Sequence, residues 1–217
     1  MGTAWVTGAS GAWGGAFARA LLDAGYDVVA LVRHDVPEAA AYAANVGRDW
    51  DFVRFDLTDP GAELPASTPD VLIHAAVSTE GDRAALAAAD YLAPAALVEA
   101  VSERMLQRGW GRIGVLVPQY ARLGLAGLGD LAAPQAALWT WCEARRDELA
   151  KDPRDVSLTV VIPGRTASPT QRLVSEQSGH RARLSTPDPE PLVRAILAGK
   201  RRAGRRPVLA ALAMLVR

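Results

Sequence analysis

A glycine-rich turn between the first predicted strand and the first predicted helix constrains this chain more than any other feature. The segment reads Val6-Thr7-Gly8-Ala9-Ser10-Gly11-Ala12-Trp13-Gly14. Small residues there let the backbone turn tightly and approach a pyrophosphate, whose charge then sits at a helix N-terminus. An apolar run precedes the motif and a helical pattern follows it, which is the context that such a motif requires. The segment therefore predicts a dinucleotide-binding turn.

Short apolar runs alternate with helix-length segments along the rest of the chain. The predicted strands are 3–7, 28–32, 50–55, 71–74, 113–117 and 158–162. The predicted helices are 13–24, 37–46, 83–108 in two pieces around Pro94, 131–151 and 190–198. Near-continuous apolarity indicates strands that are buried on both faces. We expect an α/β fold, a Rossmann-like doubly wound parallel sheet of six to seven strands with helices on both faces, as a single domain over residues 1–217.

Composition excludes several classes of function. The chain has 24 basic and 24 acidic residues, so its formal net charge is zero. Nucleic-acid binding requires a basic footprint, and none is expected here. The single cysteine, Cys142, excludes an internal disulfide and a multi-thiolate zinc site, and no metal site is expected. The N-terminal residues carry no basic leader and no apolar run is long enough to cross a bilayer, so we expect a cytoplasmic protein that does not enter membranes.

The residue after the second predicted strand indicates which dinucleotide is bound. An acid at this place favours NAD through the ribose 2′-hydroxyl, whereas a basic residue accommodates the 2′-phosphate of NADP. Arg33 stands here, and a planar guanidinium binds phosphate in a bidentate way. The sequence therefore favours NADP(H), although Asp35 two places later leaves NAD open.

These motifs together resemble the short-chain dehydrogenase/reductase family, including its polyketide ketoreductase domains and extended members, over nearly the whole chain. Thr7 and the glycines of the turn match its cofactor motif, Asp56 matches its adenine-contacting acid, and Pro163-Gly164 matches the segment that faces the nicotinamide. The resemblance implies that the cofactor is bound by Gly8, Ser10, Gly11, Trp13, Gly14, Arg33, Asp56, Leu57, Ala75, Ala76, Val77, Pro163, Gly164 and Thr166.

The catalytic residues of that family have no counterparts at the matching positions. The family uses a tyrosine whose pKa is lowered by a lysine four residues later, together with a serine and an asparagine. The only two lysines are Lys151 and Lys200, and no tyrosine has a lysine four residues after it. By the resemblance, the serine position falls on Pro118, the tyrosine position on Leu131 and the lysine position on Gln135. The asparagine position falls near Tyr91. Tyr91, Tyr120 and Gln135 remain as candidate catalytic residues.

Three functions remain open. The first is an atypical enzyme that performs cyclisation, dehydration, isomerisation or an unusual redox step on a small carbonyl compound. The second is a non-catalytic partner subunit or nucleotide sensor, and the third is an NADPH-dependent ketoreductase with replacement acid/base groups. The resemblance also implies a homodimer, or a hetero-oligomer with a homologue, through helices 83–108 and 131–151. The loop 165–189 is polar, and we expect it to form a flexible lid.

Overall fold

Seven parallel strands form one sheet in the computed structural model, which describes residues 2–122, 126–178 and 184–204. The strands are β1 (Gly2–Thr7), β2 (Tyr26–Val32), β3 (Trp50–Arg54), β4 (Val71–His74), β5 (Trp110–Leu116), β6 (Asp155–Ile162) and β7 (Arg202–Gly204). Their order across the sheet is β3-β2-β1-β4-β5-β6-β7, and every neighbouring pair is parallel. The predicted doubly wound sheet is confirmed, and the chain reverses direction across the sheet between β1 and β4.

Helices cover both faces of this sheet. They are α1 (Ala12–Asp23), α2 (Pro37–Asn45), α3 (Arg83–Ala87), α4 (Ala93–Arg108), α5 (Gly129–Leu149), α6 (Pro169–Ser178) and α7 (Glu190–Leu197). A π-helical turn, Ala88–Leu92, joins α3 to α4 without a break, and a 3-10 turn, Gln119–Arg122, follows β5. The predicted break at Pro94 is therefore wrong. Pro94 lies in the first turn of α4, where a missing N–H costs little.

The apolar core has two layers, one on each face of the sheet. Phe17 of α1 and Ile196 of α7 are buried on one face. Val98 and Met105 of α4 and Leu138 of α5 are buried on the other. Each of these side chains is at most 1% exposed, and burial of a large apolar side chain contributes about 1.5–3 kcal/mol. The helices are thus held on the sheet chiefly by apolar burial.

The continuous helical run Arg83–Arg108 is the one element in the described part of the chain whose length and apolarity would suit a membrane span. Its mean hydropathy reaches 1.5 over an 18-residue window. Val98, Val101 and Met105 on this run are completely buried against the sheet. Its apolarity is explained by packing, and it is a core helix.

Strand β3 departs from the expectation that every strand is covered on both faces. It lies at the edge of the sheet, and Asp51, Phe52 and Arg54 are exposed. An edge strand pairs on one side only, so polar and charged side chains along it are tolerated and hinder pairing with other chains. The central strands β1, β4 and β5 are buried almost throughout, as predicted.

Candidate functional site

A cavity of about 630 Å³ opens at the carboxyl ends of the central strands. Residues from the segments that follow β1, β2, β3, β4, β5 and β6 all line it. This is the place where doubly wound sheets bind ligands, because the loops diverge where the strand order reverses. All fourteen residues expected to contact a cofactor line this one cavity.

The glycine-rich turn is packed so closely that two of its glycines admit no side chain. Gly8 has φ +68°, and a Cβ there would lie 2.6 Å from the backbone nitrogen of Ala76. A Cβ on Gly14 would lie 2.0 Å from the carbonyl oxygen of Gly8. The amide of Gly11 donates to the same oxygen at 2.9 Å and closes the turn. The backbone of β1, the turn and helix α1 therefore fit together only with glycine at these positions.

The N-terminus of α1 is free to receive an anion. Its N-cap residue is Gly11, no side chain caps it, and its first turn carries no acid. The first amides of a helix lack partners within the helix, and the helix dipole favours negative charge at this end. Gly11, Ala12, Trp13 and Gly14 line the cavity at this point. The residues present fit a pyrophosphate.

A buried hydroxyl joins the ends of β1 and β4 beneath the cavity. The Thr7 hydroxyl lies 2.9 Å from Nδ1 of His74 and accepts hydrogen bonds from the amides of Ala75 and Ala76 at 3.2 and 3.4 Å. Burial lowers the pKa of His74 to about 4, so its ring is neutral at physiological pH. Thr7 and His74 thereby hold the backbone at Ala75 and Ala76 against the glycine turn.

The end of β2 carries exposed basic groups into the cavity. Arg33 and His34 both line it. Arg33 helps to lower the pKa of Asp56, although hydrogen bonds from Thr58 lower it more. Asp35, which left NAD open in the sequence, does not line the cavity, and its carboxylate accepts the Val36 amide at 2.7 Å.

The inner end of the cavity holds a polar cluster that the sequence only partly foresaw. Tyr120 lines the cavity and is 7% exposed, and Gln135 is completely buried beside it. Tyr91 does not line the cavity, and it packs half-buried against the core layer under α4. The neighbouring residue Asp90 lines the cavity instead, and it is 1% exposed. The placement of Tyr91 in the site is therefore corrected to its neighbour.

Only one of the two carboxylate oxygens of Asp90 accepts a hydrogen bond from the described residues. One oxygen accepts the amide of Ser78 at 2.7 Å, while Oδ2 has no hydrogen-bond partner among the described residues. Burial raises the pKa of Asp90 to about 6. A signal for this residue was present in the sequence, since Asp90 is the only charged residue between Arg83 and Glu99. Burial of an acid in an apolar helix lowers the free energy of unfolding, so its presence there points to a role.

Three of the four positions that the resemblance assigned to the family's catalytic residues differ in where they lie. Pro118 lines the cavity at the end of β5. Leu131 is buried in a small apolar cluster with Leu86, Tyr120 and Leu128, outside the cavity wall. Gln135 follows one turn later on α5. Neither lysine lines the cavity, and within residues 2–122, 126–178 and 184–204 no group of three or more potential metal-binding side chains occurs.

The segment after β6 closes the cavity on its outer side. Pro163, Gly164 and Thr166 line it, followed by Ser168, Thr170, Gln171 and Val174. Part of the segment predicted as a polar, flexible lid is helical: Pro169–Ser178 form helix α6, and the Ser168 hydroxyl accepts the amide of Gln171 at 3.1 Å. Residues 179–183 of the predicted lid lie outside the described residues. Val174 packs on the cluster that contains Tyr120 and Leu131, which anchors α6.

Comparisons with known proteins agree with this geometry. A model of the NAD dependent epimerase/dehydratase family matches residues 4–113 of the 217. A search of curated proteins finds no match.

Among solved structures, a "short chain dehydrogenase/reductase family protein" is 27% identical with a TM-score of 0.73, and the match covers 93% of this chain and 94% of that one. A variant of actinorhodin polyketide ketoreductase with NADPH is 19% identical with a TM-score of 0.76 and the same two coverages. The 3-oxoacyl (acyl-carrier-protein) reductase from Agrobacterium tumefaciens C58 with NADP bound is 20% identical with a TM-score of 0.74, covering 93% of this chain and 91% of that one. The last two likenesses concern the fold alone.

Proposed function

This chain belongs to the NAD dependent epimerase/dehydratase family, and on that premise we propose that it binds NADP(H) in the cavity and acts on a small carbonyl compound without a tyrosine–lysine pair. The reaction class is an isomerisation, dehydration, cyclisation or unusual redox step. One observation carries the cofactor part, namely that a free helix N-terminus, two obligatory glycines and Arg33 all face one cavity.

Each part of the cofactor has residues that suit it. The pyrophosphate fits the amides at the start of α1, in the turn formed by Gly8, Ser10, Gly11, Trp13 and Gly14. The adenosine half fits the wall made by Arg33, Asp56 and Leu57. The nicotinamide half fits the segment between Ala75, Ala76 and Val77 on one side and Pro163, Gly164 and Thr166 on the other. When bound, a nicotinamide would supply or accept a hydride.

The preference for NADP(H) follows from charge. Arg33 is exposed at the end of β2, where a ribose 2′-phosphate would lie, and an arginine binds phosphate through two parallel hydrogen bonds. Asp35 is engaged with its neighbour's amide and does not face the cavity. The position where an acid would bind the ribose 2′-hydroxyl of NAD thus holds the cation Arg33.

Titration with NADPH and NADH tests the cofactor proposal. Calorimetry on the wild-type chain should give the tighter dissociation constant for NADPH. Arg33→Ala should weaken NADPH about 10- to 100-fold, since a hydrogen bond to a charged group is worth about 1.5–3 kcal/mol, and should leave NADH nearly unchanged. Arg54→Ala is the matched control, because Arg54 is exposed at the end of the neighbouring strand but does not line the cavity. If neither NADPH nor NADH binds, the proposal is refuted, and tighter binding of NADH would refute the preference for NADP(H).

A second candidate is an NADPH-dependent ketoreductase with replacement acid/base groups. It is favoured by Tyr120, which lines the cavity and whose hydroxyl has no hydrogen-bond partner among the described residues; such a hydroxyl can donate a proton to a carbonyl group as it is reduced. Loss of NADPH absorbance with ketone substrates would support this candidate over the first. Tight binding of NADPH with no turnover of any carbonyl compound would instead favour a partner subunit or sensor.

A further inference from the structure

We call three buried side chains the inner polar cluster: Asp90 and Tyr120, which line the cavity, and Gln135, whose amide lies near the Asp90 carboxylate. They are 1%, 7% and 0% exposed. Asp90 Oδ2, the Tyr120 hydroxyl and both amide atoms of Gln135 lack hydrogen-bond partners among the described residues. An unpaired buried polar atom costs about 1–3 kcal/mol, so native structures seldom contain several together without a purpose. The cluster therefore points to a polar group that enters this end of the cavity.

Local structure holds the Asp90 carboxylate in one orientation. Asp90 lies in the π-helical turn between α3 and α4, and single π-turns within helices occur frequently at functional sites. The Ser78 amide occupies one of its oxygens at 2.7 Å. The Gln135 amide is near enough to lower its pKa, but not in the geometry of a full hydrogen bond. The remaining oxygen has no hydrogen-bond partner among the described residues, and Asp90 lines the cavity.

Of the two ionisable side chains in the cluster, Asp90 can accept a proton and Tyr120 can donate a hydrogen bond. Burial raises the pKa of Asp90 to about 6, which leaves it ionised at neutral pH and close to the value that suits a general base. Burial, with a further contribution from the charge of Asp90, raises the pKa of the Tyr120 hydroxyl, which therefore stays protonated. A neutral hydroxyl in a dry site stabilises a developing oxyanion. A base and an oxyanion donor thus line one cavity, near enough for the charge of the first to act on the second.

We propose that Asp90 is the general base of this site and removes a proton from the carbon next to the carbonyl group of a bound substrate. In this step the C–H bond breaks, a new O–H bond forms on Asp90 Oδ2, and the electron pair moves to the carbonyl oxygen as an enolate. The Tyr120 hydroxyl donates a hydrogen bond to that oxygen. The proton then returns to carbon or leaves with a β-hydroxyl group as water, so no oxidant or reductant is consumed. This assignment rests on the proposed function and names its substrate class.

Deuterium exchange tests the assignment without knowledge of the natural substrate. The probes are the butyryl and 3-hydroxybutyryl thioesters of N-acetylcysteamine, incubated in D₂O with the full chain, with and without saturating NADP⁺. Mass spectrometry should show deuterium entering next to the carbonyl of at least one probe faster than in buffer. The rate should rise with pH through about 6 and then level off, as ionisation of Asp90 requires.

Two variants and a matched control separate catalysis from folding. Asp90→Asn keeps an oxygen for the Ser78 amide but cannot accept a proton, and should lower the exchange rate at least 100-fold. Tyr120→Phe should lower it about 10- to 1,000-fold through loss of the oxyanion donor. Asp130→Asn makes the same chemical change as the first variant at an exposed site paired with Arg83, and should exchange like wild type.

The deuterium-exchange results test the role of Asp90 separately from the cofactor proposal. Wild-type exchange no faster than buffer on both probes, or exchange that Asp90→Asn retains, overturns the role of Asp90. NADPH titration of the same samples reports separately on the cofactor. Exchange that depends on Asp90 in a chain that fails to bind NADPH would refute the cofactor proposal and leave the base assignment standing.

Discussion

Replacement of Asp90 by asparagine should change how the stability of this protein depends on pH. In the folded chain the carboxyl has a pKa of about 6, against 3.8 in an unfolded chain, because burial disfavours its charge. Between these two values the folded state binds more protons than the unfolded state, so the contribution of Asp90 to stability falls as the pH rises. Above pH 6, burial of the charged Asp90 carboxylate therefore destabilises the fold by about 3 kcal/mol, because each unit of pKa difference corresponds to about 1.4 kcal/mol.

Asparagine removes this penalty while it retains the acceptor for the Ser78 amide. Urea unfolding at pH values from 4 to 8, extrapolated to water, gives the free energy of unfolding of both chains. The advantage of Asp90→Asn over wild type should grow by about 2.4 kcal/mol between pH 4 and pH 8, since a small part of the penalty is already present at pH 4. Taking the difference between the chains cancels the titration of every group that does not interact with Asp90.

Asp155→Asn provides a control of opposite sign. The Arg112 guanidinium lies 2.8 Å from the Asp155 carboxylate and lowers its pKa. Asp155→Asn should therefore lose stability relative to wild type as the pH rises through the acid range to about 4, and should keep a constant deficit from pH 4 to pH 8. If the difference for Asp90→Asn stays flat from pH 4 to pH 8, the carboxyl is solvated, and the reasoning that makes it a perturbed base fails.

Two further predictions concern Gly14 of the glycine-rich turn and His74 at the end of β4. Gly14→Ala should lower the free energy of unfolding by at least about 2 kcal/mol in urea unfolding and abolish NADPH binding in calorimetry, because its Cβ would meet the Gly8 carbonyl oxygen at 2.0 Å. Gly129→Ala, which meets nothing within 4 Å in the first turn of α5, should bind and unfold like wild type, and a similar loss in both variants would contradict the packing argument. The contribution of His74 to wild-type stability should also fall by about 3 kcal/mol as the pH drops from 6.5 towards 4, opposite in sign to that of Asp90, because His74 stays neutral in the fold and becomes charged in the unfolded chain. His74→Gln should lack this part of the slope, and an unchanged slope in that variant would assign it to other groups.

Local patterns predicted the fold and the cofactor end of the site. A buried parallel strand is a short apolar run, and a phosphate-binding turn needs glycines at fixed spacing, so both can be recognised from neighbouring residues. The resemblance to the short-chain dehydrogenase/reductase family is confirmed at the level of the superfamily that includes the family matched here. That Gly14 has to be glycine was implied by the motif, and the structure gives the reason as a backbone contact.

The inner polar cluster was decided by tertiary structure. The π-turn between α3 and α4 carries Asp90, which lines the cavity, whereas the register taken from the resemblance pointed to Tyr91. Tyr120 and Gln135 come from separate segments and meet Asp90 only once α5 packs against the sheet. The sequence by itself determined a parallel sheet with a dinucleotide turn, because those features are local. Which polar side chains share a buried space depends on the packing of distant segments, and only the folded chain determines that.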